Sequence, residues 1–370
     1  FGSCEALTSI AVPKSVTKIG DYVFQDCNAL TSITIPNSVT QMGAYAFQHC
    51  KSLKSVTFHK GIKTIGNGAF YGCEALTSIT IPNSVTNMGS YTFQHCKSLK
   101  SVTFPEGIKA IGIGVFYGCE ALTAIEIPKS VTKIWECAFQ ECKALTSIVI
   151  PKGVTSIGNE VFKGCTSLTS ATLPDSVTGI GHSLFYDCTA LTSVVMPPKL
   201  TELGSHTFCR CAALTDVTLP QGLTKIGKST FYECKALTSV VIPESVTIIE
   251  EGAFSNCASL EEILIPNSVT CIETGAFIRC TALRSIEIPA SVTTYGESIF
   301  ERCTALTRVV LPENIAEIPF GMFFECNNLS SINIPESVTA IGDYAFQRCW
   351  GLTEIDLPEG LESIGEYAFW

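Results

Sequence analysis

Along this chain the apolar residues fall on one template: Leu-x-x-Ile-x-Ile-Pro, then Val-x-x-Ile-Gly, then Ala-Phe-x-x-Cys. The template restarts every 23 residues. Cysteine marks the beat sixteen times, from Cys4 and Cys27 to Cys349, with a leucine three residues after each and a phenylalanine three before. So strict a period means one small unit copied and stacked, a solenoid in which each copy buries its apolar side against its neighbours.

The first unit shows what the pattern predicts. Leu7, Ile10 and Val12, like Leu30, Ile33 and Ile35 one repeat on, read as a short strand with one face buried. Stacked copies would make a parallel ladder. A proline follows the strand in 15 of 16 repeats (Pro13, Pro36, Pro82), with His59 the exception. It ends pairing there and turns the chain. Val16 and Ile19 then point inward from a second extended arm. Gly20 is kept as glycine in twelve of sixteen repeats, as a left-handed turn would require. Asp21, Asn67, Ser90 and Asp343 suit the start of a helical turn, and Val23, Phe24 and Cys27 would form its inner face. The predicted fold class is an α/β repeat solenoid: an arc of about sixteen 23-residue repeats, parallel β-sheet on the concave face, short helical turns on the convex face. Strands at ~4.8 Å spacing against roomier helical turns would curve the stack with strands inside.

The segments quoted, and stretches such as Ala29–Phe58 (ALTSITIPNSVTQMGAYAFQHCKSLKSVTF), resemble the BspA-like, or Treponema pallidum, class of leucine-rich repeats over the whole chain. Trp135, Glu250, Glu273 and Pro319 depart from it by replacing the turn glycine, and a different turn is expected at each. The resemblance implies a cell-surface protein that binds host or matrix proteins, or other cells.

The unbroken period makes residues 1–370 one elongated domain, although 370 residues would ordinarily suggest more. Neither end carries a polar capping repeat, so the chain reads as an excerpt of a longer protein, with open ends that favour end-to-end self-association. No apolar run reaches the roughly 18 residues of a membrane span. The net charge of −10 is uneven. Residues 1–185 carry 14 Lys/Arg against 11 Asp/Glu, and residues 186–370 carry 10 against 23, every arginine included. An acidic half without a basic stripe argues against nucleic acid or anionic membrane as partner.

The cysteine ladder invites a disulfide or metal reading, since stacked Cα atoms would lie within disulfide range. Inward-pointing parallel thiols, each with two equivalent neighbours, read instead as small buried hydrophobes. With no Cys-x-x-Cys pair, zinc is poorly supported. Cys137, Cys209 and Cys271 stand outside the ladder and are the thiols to test for reactivity. His49 and His95 lie two repeats apart, too far to share a metal, and came with a copied block: Ala29–Phe58 and Ala75–Phe104 agree at 27 of 30 positions. No nucleophile motif, phosphate loop or His-Glu-x-x-His occurs. The expectation is no catalytic residue, no cofactor and no metal.

What remains is surface. Five and seven residues after each cysteine, the N-terminal repeats present Ser and Thr (Ser32, Thr34, Ser55, Thr57), a default for an open strand face. Later repeats diversify, mixing apolar, acidic and basic groups as a recognition surface does. The candidate protein-binding residues, on the concave face, are Asp216, Glu262, Leu264, Glu287, Arg308, Val310, Asn333, Glu354 and Asp356. The leading function is an extracellular or cell-surface adhesion module with a protein partner. The alternative is a scaffold subunit in a reducing intracellular compartment, which sixteen periodic thiols would suit. An ice- or mineral-binding lattice of threonines is interrupted by the charges from Glu126 onward.

Overall fold

The computed structural model describes every residue, Phe1–Trp370. It comprises two compact units, Phe1–Leu191 and Thr192–Trp370, and the 23-residue template runs through each. In the first unit the predicted strand forms as Ser32–Ile35 paired in parallel with Ser55–Phe58, Ser78–Thr80 with Ser101–Thr103, and Ser147–Val149 with Ser170–Thr172. In the second, Ser193–Val195 pairs with Asp216–Thr218, and Ser285–Glu287 with Arg308–Val310 and then Ser331–Ile332. Each residue pairs with its equivalent 23 positions away, so Ile33 meets Val56 and the buried side chains form a column. The ladder is not continuous. Residues 8–12, 124–127, 239–242, 262–265 and 354–357 do not pair as strands, the first of them in the repeat from which the strand was predicted.

The second arm is also a strand, two residues long. In the first unit Lys18–Ile19, Gln41–Met42, Thr64–Ile65 and Asn87–Met88 form one sheet. Ala110–Ile111, Lys133–Ile134, Ser156–Ile157 and Gly179–Ile180 form another. In the second unit the arm forms Lys225–Ile226 to Thr294–Tyr295, and Glu317–Ile318 to Ser363–Ile364.

The helical turns expected on the far side are absent, and the structure has no helix. Packed helices need ~8–10 Å between axes. Here successive phenylalanine rings stack at 5.0–5.8 Å, from Phe1 to Phe185 in the first unit and from Phe208 to Phe369 in the second. At that spacing the backbone bonds across repeats instead of along itself. Tyr22, Phe24 and Asp26 donate their amides to the carbonyls of Ala44, Ala46 and Gln48 at 2.8–3.0 Å, while Gln25 and Cys27 donate three residues back. This alternation needs a left-handed residue at two places per repeat, and Tyr22 and Asp26 both have φ 56°. With no helices to demand extra room, the argument for a strands-inside curve loses its premise.

The turn glycine has a different cause from the one predicted. Positive φ occurs two and six residues after that position, not at it. What excludes a side chain is the preceding repeat: a Cβ on Gly43, Gly66 or Gly89 would come within 2.3–2.4 Å of it. Nor do the departures build a new turn throughout. Trp135, Glu250 and Glu273 donate their amides to Ile111, Ile226 and Ile249, as Gly43 does to Ile19. Glu250 and Glu273 also accept, through Oε2, the amides of Lys228 and Glu251 in the preceding repeat.

Except for Cys4, which is exposed, the ladder cysteines are buried thiols, and none of the nineteen forms a disulfide. The ladder thiols from Cys27 to Cys188 and from Cys234 to Cys349 donate to the phenylalanine carbonyl of the repeat before, Cys50 to Phe24 at 3.0 Å and Cys349 to Phe323 at 3.1 Å. Burial pushes the Cys50 and Cys165 thiols up to about 12. Cys209 is buried as well, whereas Cys137 and Cys271 are half-buried. His49 and His95 sandwich Tyr71 edge-on at 5.2 and 5.7 Å, which gives the copied histidines a packing role. No helix is long and apolar enough to cross a membrane.

Candidate functional site

The strand alternation exposes two columns, five and seven residues after each ladder cysteine. In the second unit the five-column runs Ser239, Glu262, Ser285, Arg308 and the seven-column Val241, Leu264, Glu287, Val310. These eight side chains, with the edges of the strands that carry them, line one groove of about 480 Å³. Register fixes their neighbours: Arg308 sits between Ser285 and Ser331, and Glu287 beside Val310. The groove lies where residues 239–242 and 262–265 leave the ladder unpaired, while Val240, Ile242, Ile263 and Ile265 stay buried.

Two properties distinguish this stretch of strand face. Val241 is 80 % and Leu264 74 % exposed, so large apolar side chains stand in solvent beside one another. Charged groups flank them without neutralising one another: Glu262, Glu287 and Arg308 make no ion pair, although Arg284 and Glu261 nearby do at 3.4 Å. Apolar centre with a charged rim is the anatomy of a protein interface.

Of the nine residues predicted from sequence, the structure gathers Glu262, Leu264, Glu287, Arg308 and Val310 in this groove. Asp216 lies on its strand earlier along the same unit, exposed but outside it. Asn333, Glu354 and Asp356 are likewise exposed and outside, on later repeats. Val241, Ser239 and Ser285 belong to the groove and were not on the shortlist. Val241 was within reach of sequence reading, being an apolar residue at an outward position. Serine repeated at that position carries no such signal. No three His, Cys, Asp or Glu side chains converge as a metal site would require.

The family model for the BspA type leucine rich repeat region (6 copies) matches residues 1–122, 109–238 and 247–370. A leucine-rich repeat protein from Bacteroides ovatus is 30 % identical, over 92 % of this chain and 85 % of that one, with a TM-score of 0.78. The leucine-rich repeat protein of T. pallidum is 30 % identical over 48 % of this chain and 72 % of its own, with a TM-score of 0.39. A protein from Faecalibacterium prausnitzii, described as a leucine rich cell surface protein, is 29 % identical over 95 % of this chain and 83 % of its own, with a TM-score of 0.42. The comparison with curated proteins gives no match. With the family's repeat matched over residues 1–238 and 247–370, the chain belongs to the BspA-type leucine-rich repeat family, a class of protein-interaction module.

Proposed function

We propose that this chain is a non-enzymatic adhesion and recognition module, at the cell surface or secreted, that binds a protein through the strand face of residues 192–370. The observation that carries this reading is the groove in which Val241 and Leu264 stand exposed between unpaired Glu262, Glu287 and Arg308. Burying the two aliphatic side chains would supply affinity. The flanking charges would select register and partner. Asp216, Asn333, Glu354 and Asp356 extend the same face and would act as outlying contacts. Family membership supports the surface location.

The test is crosslinking capture from native cells with surface biotinylation in parallel, followed by affinity measurement on the captured protein. Leu264→Asp and Arg308→Glu should each weaken binding by roughly tenfold or more, that is ~1.4 kcal/mol. Unchanged affinity in both variants would move the site off this face. A second reading has its own observation: all nineteen cysteines are thiols, as a reducing compartment maintains. An unlabelled chain that co-purifies with one stoichiometric complex would make it a scaffold subunit instead.

A further inference from the structure

The second arm of the first unit holds a different kind of opening, independent of the groove above. Along this arm successive repeats are tied by two recurring backbone bonds. Lys63 donates to Thr40 at 2.8 Å and Gly66 to Met42 at 2.9 Å; later, Thr132 donates to Lys109 at 2.9 Å and Trp135 to Ile111 at 3.0 Å. Between these pairs, at the step from Asn87–Met88 to Ala110–Ile111, both bonds are missing: Lys109 does not reach Thr86, nor Gly112 Met88. The glycines record the same gap. A Cβ on Gly66 or Gly89 would strike the preceding repeat at 2.4 Å, but on Gly112 it would clear that repeat by 3.5 Å.

A cleft of about 460 Å³ lies over the break, within the ~300–1,000 Å³ of small-ligand sites. Asn67, Thr86, Asn87 and Ser90 line one side, and Lys109 and Trp135 the other. Trp135 occupies the position that twelve repeats give to glycine, and it is 42 % exposed. The Lys133 ammonium lies 5.6 Å from its ring centroid. Lys63, Lys109 and Lys133 are exposed and make no ion pair. The outward positions of this arm, from Thr17-Lys18 to Thr178-Gly179, include no carboxylate. Glu136, next to Trp135, has its Oε2 buried without a partner and does not line the cleft.

We infer that this cleft binds an acidic polysaccharide. An exposed indole offers a flat apolar wall to the C–H face of a sugar ring. Asn67, Asn87, Thr86 and Ser90 supply the amide and hydroxyl groups that sugar hydroxyls need. Lys109 and Lys133 meet a carboxylate or sulfate on the same chain, and no carboxylate on the outward positions of the arm competes with it. A protein partner would call for exposed aliphatic side chains, as in the other groove. Here the fully exposed side chains of the lining, Asn67, Thr86, Asn87, Lys109 and Trp135, are polar apart from one aromatic wall, and the aliphatic Ala110 and Ile113 are only half-exposed.

The experiment is calorimetric titration of the whole chain with heparin, polygalacturonate, neutral dextran and poly-glutamate, at low and high salt. Heparin or polygalacturonate should bind, more weakly in high salt, and dextran and poly-glutamate should not. Trp135→Gly, which restores the common residue, should weaken binding by roughly tenfold or more. The double variant Lys109→Gln/Lys133→Gln should weaken it and flatten its salt dependence. It reads the same site should Trp135→Gly fold poorly. Leu264→Asp should leave polysaccharide binding unchanged, which separates this site from the proposed protein groove. No binding of either acidic polysaccharide would overturn the assignment, as would affinity unchanged from the parent in both Trp135→Gly and the double variant. Poly-glutamate binding with the same Trp135 dependence would overturn it in favour of an acidic protein ligand.

Discussion

Tyr22, Asp26 and their equivalents carry side chains in a conformation that costs L-residues roughly 1–2 kcal/mol each, and most repeats meet that cost once or twice. The inter-repeat amide bonds made beside them offset it. Glycine already occupies several of these places, among them Gly68, Gly72 and Gly164. At Glu141 (φ 56°), substitution by valine should therefore destabilise by about 1–2 kcal/mol, because a β-branched side chain fits this region worst. Glu141→Gly should stay within ~1 kcal/mol of the parent, relief of strain opposing the added freedom of the unfolded chain. Urea unfolding of the two variants side by side is the check, and equal destabilisation would refute the strain argument. None of this is visible in the sequence, where Tyr, Asp, His, Glu, Ser and Arg share these positions without a common chemistry. The conspicuous glycine nearby marks close approach between repeats instead.

At the scale of elements, buried columns were legible and their pairing was not. The alternation of Ile33 and Ile35 with Ser32 and Thr34 shows which face is buried, and the period supplies the register. It does not show that residues 239–242 and 262–265 leave the ladder, because they keep the same alternation. The third segment was misread for a related reason. Val23, Phe24 and Cys27 have helical spacing, but the stacking distance rules a helix out, and that distance is a property of neighbours. Polar side chains join elements too. Glu325 accepts from Arg302 at 2.8 Å and Arg348 at 2.7 Å, linking three repeats. Partial burial raises its carboxyl, yet the bonds from Arg302 and Arg348 outweigh this and hold it below the ordinary range. A depressed carboxyl contributes stability that is present above its unfolded pKa and lost as pH falls through the folded value. Glu325→Gln should thus cost about 1 kcal/mol near neutral pH, discounted for the half-exposed arginines, and nothing in acid, where the parent's carboxyl is protonated in the folded and the unfolded chain alike. A denaturation series from neutral pH downward tests this, and a cost that persists in acid would point to lost packing.

Across the whole chain the nineteen thiols divide by burial. Cys4 is exposed, Cys137 and Cys271 are half-buried, and the other sixteen are buried. Burial raises Cys137, helped by the Glu160 carboxylate, and burial raises Cys271. In a native alkylation time course read by mass spectrometry, Cys4 should label first, Cys137 and Cys271 slowly, and the rest only in denaturant. Early labelling of Cys209 would contradict its burial. Sequence spacing had separated Cys137, Cys209 and Cys271 from the ladder, but it could not say that one of them is enclosed. The proposed protein groove was half legible in the same way: diversified outward positions pointed to Leu264 and Arg308, while the width of the opening depends on unpaired backbone. The cleft beside Trp135 was not legible at all, since it arises from two missing bonds.

The inter-repeat bonds reach a fixed distance along the chain: thiol to carbonyl across 26 residues, threonine hydroxyl to carbonyl across 23, backbone amide to carbonyl across 22 to 24. Wherever two successive repeats make one of these bonds, it spans the same number of residues. Unequal recombination that removes or inserts a whole number of repeats therefore rejoins surfaces already shaped for each other. The near-identity of Ala29–Phe58 and Ala75–Phe104 is the trace such an event leaves. Length, in such a lineage, is a heritable variable that moves in steps of one repeat. Selection can then add reach without redesigning a single contact.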